Sequence, residues 1–229
     1  MTQVLTQIRK FGVVPVVIIE DPEDASKLAD ALLEGGLPCM EVAFRTAAAG
    51  EALRRIALCQ PDLLLGAGTV LTVDQASEAL DAGARFIFSP GFDAEIVAYC
   101  LKQSVPVFPG VCTTTDIQAA LRSGLKVLKL FPVEPLGGTR YLKAVASPFP
   151  GIEFIPFAIT KKIIRLTPAN TTAPTNWILN PLSSGKSHTP IPNSAAVANT
   201  SIMCSMAKVA RAVAALMPPR LVTKASCKG

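Results

Sequence analysis

Histidine is almost missing from this chain. The single one, His188, stands in the last third, so nothing before it offers an imidazole for a zinc site or for a base titrating near neutrality. That scarcity excludes a histidine-ligated metal centre from the front of the molecule and directs attention to lysine and carboxylate chemistry. Acidic residues are missing from the other end, where no Asp or Glu follows Glu153. Six cysteines are present without C-x-x-C spacing, which excludes a disulfide-dense secreted scaffold and fits reduced thiols. Apolar runs stay short of the ~18 residues a membrane span requires, and the first residues, with Arg9 and Lys10, lack a signal-peptide pattern. The expectation is a soluble protein of the cytoplasm with no membrane partner.

The net charge of +5 divides unevenly along the 229 residues. Residues 1–156 carry 13 basic and 17 acidic side chains, a net −4, and residues 157–229 carry 9 basic side chains and no acid, a net +9. Such a break marks a boundary, and two portions are expected: 1–156, which holds the regular pattern, and 157–229, an atypical basic tail. The tail is rich in Thr, Pro, Ser, Asn and Ala, and its single helical candidate is 203–217, stopped by Pro218 and Pro219. Its origin has two readings, a translated frameshift or unspliced segment near codons 157–164, or a genuine divergent tail. Gly185-Lys186-Ser187 is not a phosphate loop, because the required first glycine falls on Asn180. The sequons at Asn170 and Asn199 would matter only in a secretory compartment. Nine uncompensated cations give unspecific stickiness rather than a specific nucleic-acid partner.

Before residue 157, short apolar runs alternate with stretches of helical period. Strands are expected at 13–19, 39–44, 63–70, 85–89, 105–108, 125–131 and 152–155, and helices at 21–33, 48–58, 73–82, 94–102, 116–121 and 139–145. Strict alternation argues for a parallel sheet with helical crossovers, and seven strands at this spacing suit an α/β (β/α)8 TIM barrel, incomplete after strand 7. An eighth strand, if there is one, must come from the tail.

Catalytic residues of a barrel sit at the carboxyl ends of its strands and point inward. In 125–131, Val127, Lys129 and Phe131 share one face, and Leu128 and Leu130 flank the lysine on the other. An ammonium placed there is poorly solvated, which lowers its pKa and frees the amine as a nucleophile toward a ketone. A lysine that snorkels out at a strand end is the alternative. In 39–45, Glu41, Ala43 and Arg45 share a face of an otherwise apolar strand, with Met40, Val42 and Phe44 opposite. Glu41 and Arg45 lie roughly 13 Å apart along the strand, too far to neutralise each other. Glu41 can then move protons near the lysine while Arg45 binds a carboxylate or phosphate at the rim, unless both belong to a structural salt-bridge network.

The residues resemble a known family, the 2-keto-3-deoxy-6-phosphogluconate and 4-hydroxy-2-oxoglutarate aldolases, over about 5–156. The segments that carry the likeness are VPVV at 14–17, EVAFRT at 41–46, GAGTVL at 66–71, SPG at 89–91, Pro109-Gly110, KLFPVE at 129–134, and Gly137-Gly138. The resemblance implies a class I lyase with Lys129 as Schiff-base lysine and Glu41 as general acid and base. It further implies that Arg45 and Thr69 line the substrate pocket, and that Pro90 and Phe131 form its walls. A glycine-flanked Thr69 can equally mark a tightly packed strand end. No metal or cofactor, a homotrimer, a keto-acid substrate and a place in the Entner-Doudoroff pathway are implied as well. After Pro156 the likeness stops: Thr-Gly-Gly-Ile is expected and Phe157-Ala158-Ile159-Thr160 stands there, and no later Gly-Gly-Ser-Trp follows. The loops after strands 7 and 8 commonly hold phosphate on backbone amides, so a second reading is an impaired or dead barrel fragment that binds small 2-keto acids or partner subunits.

Overall fold

Apolar alternation sets the staves of the architecture, and the computed structural model describes them over residues 2–157 and 164–166. Strands β1 (Val16–Ile19), β2 (Cys39–Ala43), β3 (Leu64–Gly68), β4 (Ile87–Phe88) and β5 (Val107–Phe108) are followed by β6 (Gly110–Val111), β7 (Val127–Leu130), β8 (Glu153–Pro156) and β9 (Ile164–Leu166). Helices are α1 (Thr2–Phe11), α2 (Ala25–Glu34), α3 (Ala49–Cys59), α4 (Val73–Asp81), α5 (Ala94–Lys102), α6 (Thr114–Arg122) and α7 (Thr139–Ala146). Every strand pairing is parallel, in the orders β5-β4-β3-β2-β1-β9 and β6-β7-β8.

The two sheets are one wall. Pro109 separates β5 from β6 because it has no N–H for the ladder. The stave nevertheless continues, since Gly110 N donates to Ser89 O (3.0 Å) on the β4 side and Lys129 N donates to Pro109 O (3.0 Å) on the β7 side. Counting β5 and β6 as one stave gives eight, the TIM-barrel type. The eighth is β9, which lies in the tail as required and pairs with β1 through Val17↔Ile164, Ile18↔Arg165 and Ile19↔Leu166. Among the described residues, no pairing joins β8 to β9, so these are the two free edges. The candidate helix at 203–217, His188, the glycine-lysine-serine triplet and both sequons lie outside the described residues.

Local sequence explains where three of the seven α-helices start. Thr72 caps α4 by accepting from Gln75 N (3.1 Å), and Asp93 caps α5 by accepting from Glu95 N and Ile96 N (2.9 and 3.0 Å). Thr113 and Asp116 form a capping box at the head of α6. That box moves the start of α6 to Thr114, ahead of the expected 116. Instead of a helix beginning at residue 21, a 3-10 turn over Pro22–Asp24 precedes α2. The strands are shorter than the apolar runs that mark them, because a run of buried residues extends past the last ladder bond.

Helix α1 is not among the expected elements, although Val4, Ile8 and Phe11 recur at helical spacing. Its apolar side enters the bottom of the barrel, where Val4 and Ile8 pack with Cys39, Leu64, Phe86, Phe88 and Phe108. Gly12, at φ 73°, ends it and donates to Ile8 O (2.9 Å). A second, larger core lies between staves and helices, where Met40, Val42 and Phe44 meet residues such as Leu53 and Ile56 of α3. Alternation therefore sends one parity to the helices and leaves the other for the interior.

Candidate active site

The interior parity of β2 and β7 carries the only two buried charged side chains among the described residues. Lys129 is 5% exposed and Glu41 is 1% exposed. Strand pairing fixes both: Lys129 lies opposite Gly110 on one side and Ile155 on the other, and Glu41 lies opposite Gly66 and Val16. The Lys129 Nζ stands 3.9 Å from Glu41 Oε1. Glu41 Oε2 is buried without a hydrogen-bond partner, an acceptor left for a hydroxyl or a water.

Room for this pair is made by missing side chains on β3. A Cβ built on Gly68 would come within 1.6 Å of Glu41 Oε1, and one on Gly66 within 2.1 Å of the Phe86 ring. These glycines admit close neighbours, as the sequence suggests, Gly68 for the Glu41 carboxyl and Gly66 for the Phe86 ring. Gly110 is small for a similar reason, since a Cβ there would meet Pro90 O at 2.0 Å. Pro90, half-buried, thus enters the site's framework through its backbone, in a turn closed by Ser89 Oγ donating to Gly91 O (2.7 Å).

Burial governs the titration of both groups. Desolvation pushes the Glu41 carboxyl up to about 7, against smaller downward pulls from Lys129 and Arg45. Desolvation lowers the Lys129 pKa, Glu41 partly restores it, and Arg45 lowers it further. Each charge is disfavoured by burial and supported by the other, which brings the two groups' affinities for a proton closer together than those of a free lysine and a free carboxyl. An amine nucleophile beside a carboxyl able to give or take a proton is the result.

Around the lysine stand aromatic rings. Phe157, Phe131 and Phe88 lie 4.1, 5.2 and 5.4 Å from Nζ to their centroids. Phe131 is among the residues singled out from the sequence. Phe88 and Phe157 are not, although both fall on the interior parity of their strands, and that alternation was the available signal. Arg45 is exposed at the rim, where its Nε donates to Thr69 Oγ1 (3.2 Å). Thr69 adopts φ 56°, a left-handed conformation rare for a β-branched residue, as the chain turns out of β3. Lys129, Glu41 and Phe131 therefore meet inside the barrel, with Arg45 and Thr69 paired at its mouth.

A buried, carboxylate-paired lysine in the wall of a TIM-barrel-type fold is the arrangement a Schiff-base enzyme needs, an amine that can attack a ketone beside a group that can carry the proton. A profile of the KDPG and KHG aldolase family matches residues 4–165. The chain is similar to the 2-dehydro-3-deoxy-phosphogluconate aldolase of Treponema pallidum, 48% identical over 156 residues, spanning 68% of this chain and 74% of that protein. Its backbone resembles the crystal structure of the 2-keto-3-deoxy-6-phosphogluconate aldolase of Zymomonas mobilis ZM4 with 3-phosphoglycerate, at TM-score 0.65 and 38% identity over 68% of this chain and 74% of that one. It also resembles the KDPG aldolase of Legionella pneumophila with pyruvate captured as a covalent carbinolamine, at TM-score 0.60 and 39% identity over 64% and 72%. The chain belongs to the KDPG and KHG aldolase family.

Proposed function

We propose that this protein cleaves 2-keto-3-deoxy-6-phosphogluconate to pyruvate and glyceraldehyde 3-phosphate through a Schiff base on Lys129. The observation that carries the reading is the buried Lys129–Glu41 pair at 3.9 Å. Neutral Nζ adds to the C2 ketone, the carbonyl π electrons move to oxygen, and the resulting carbinolamine loses water as Glu41 donates a proton. The product is a protonated imine. Glu41, now ionised, accepts the C4 hydroxyl proton as the C3–C4 bond breaks toward C3. The released aldehyde leaves an enamine, which takes a proton at C3 and is hydrolysed to pyruvate and free lysine. The imine is itself the electron sink, so the chemistry calls for no cofactor.

Arg45, held by Thr69, suits the substrate carboxylate, and Phe131 and the Pro90 turn form walls. We assign both reacting groups to residues 1–156, the aldolase barrel portion, and take 157–229 as the atypical basic tail, of which Phe157 and β9 adjoin the barrel. The family match supports a homotrimer, and the absence, among the described residues, of any helix long and apolar enough to cross a membrane is consistent with a place in the cytoplasm. The test is borohydride trapping with pyruvate, followed by intact mass and peptide mapping. A reduced pyruvate adduct on Lys129 that disappears in Lys129→Met is expected. A natively folded chain that gives no adduct overturns the proposal and leaves a barrel that at most binds keto acids.

A further inference from the structure

Phe157 is the first residue past β8, and the pairing of β7 with β8 runs on through it. Its N–H donates to Leu130 O (2.9 Å), and its carbonyl accepts from Val133 N (3.1 Å). With its N–H and its carbonyl both fixed to β7 and the turn after it, alternation from Ile155 turns its ring inward, where it packs in the interior cluster. The ring lies 4.8 Å from that of Phe88 at an interplanar angle of 57°. Lys129 Nζ is 4.1 Å from the Phe157 centroid, nearer than to Phe131 or Phe88.

A ring face at this distance attracts a cation and gives nothing comparable to a neutral amine. Imine formation converts one into the other at the same atom: neutral amine, ketone and a proton yield protonated imine and water. An aromatic enclosure therefore favours the imine whenever the starting amine is neutral. Where the amine is already an ammonium, reactant and product are both cations and the rings cancel. Resting on the aldolase reading above, we infer that Phe157 is a positioning residue of the Schiff-base step, its π face stabilising the cationic imine on Lys129 while its apolar body excludes water from the amine.

The test uses the full chain and its Phe157→Leu and Phe157→Tyr variants, with pyruvate as probe. Adduct yield after borohydride is read against pyruvate concentration and pH, and the Lys129 titration is read by reductive methylation. Leucine retains apolar cover and removes the π face. At a pH where the amine is neutral, Phe157→Leu is expected to raise the pyruvate concentration for half-trapping about five-fold. Its amine titration should fall by about 0.7 pH unit, the same five-fold factor, because the ammonium loses the same support. Tyrosine should restore both to within about two-fold. If leucine unfolds the chain by circular dichroism, Phe157→Met supplies the same readout.

An unchanged half-trapping concentration overturns the inference, as does a titration that moves upward, the sign that water entry alone would give. In either case the adduct still forms and the aldolase reading stands. No adduct in the unsubstituted chain overturns both.

Discussion

In the proposed reaction Glu41 must be protonated to drive water from the carbinolamine and ionised to take the C4 hydroxyl proton. A carboxyl pushed up to about 7 is available in both states near neutrality, whereas one at its ordinary 4.5 would rarely be the acid. The expected pH profile of pyruvate trapping therefore falls above about 7, where the acid form is lost. Glu41→Gln is expected to slow trapping by about 10²–10⁴-fold and to remove that limb, measured by quenched time courses across pH. Gly68 owes its position to the same carboxyl. Gly68→Ala would place a Cβ within 1.6 Å of Glu41 Oε1, so the side chain must move. A drop in trapping rate is expected, with a stability loss of about 1–3 kcal/mol in urea titration from overpacking. Parity put the lysine and the carboxyl on the inward face and the arginine at the rim, and left open a snorkelling lysine or a structural salt-bridge network. Phe88 and Phe157 were not singled out, because an aromatic at an interior position reads as ordinary core until the nitrogen between the rings is placed.

At the scale of elements, the head of α6 stands close to the lysine in the wall, since β6 pairs with β7 at Gly110↔Lys129 and ends just before the cap. Cys112 N and Thr113 N both donate to Asp116 Oδ2 (3.0 and 2.9 Å), and Tyr141 Oη of α7 donates to Cys112 O. This knot ties the end of one stave to two helices. Thr113→Ala is expected to cost about 1 kcal/mol by removing the cap, seen as a lower urea midpoint at an unchanged slope. The capping box was present in the sequence as Thr113 and Asp116, and using it would have corrected the start of α6. The division of the fifth stave at Pro109 was equally readable. Less so was the role of α1: its period of Val4, Ile8 and Phe11 says amphipathic helix, and nothing local says that the face closes the bottom of a barrel.

For the molecule as a whole, the buried pair links stability to pH. Glu41 has a folded pKa raised from 4.5 to about 7, so its contribution favours the folded state below about 4.5 and is lost as pH rises through about 7. Glu41→Gln, which cannot ionise, should gain stability relative to the parent between those limits, and urea midpoints at pH 4.5 and pH 8 check the sign. A difference that is flat or grows toward acid would show that the carboxyl is solvated. Such a cost is expected where a site is built for reaction and not for stability.

Sequence by itself determined the parallel α/β alternation, seven of the staves, the break in charge at residue 157 and the inward parity of Lys129 and Glu41. Those features follow from spacing along one chain, through the two-residue repeat of strands and the backbone demands of caps, prolines and glycines. Tertiary structure alone decided that Lys129 faces Glu41 across the barrel, that Gly68 makes room for that carboxyl, that three rings surround the nitrogen, and that a strand at 164–166 pairs with β1. Each of these is a contact between residues distant in sequence. Strand alternation specifies which way a side chain points, and only the curvature that brings distant staves together fixes what it meets.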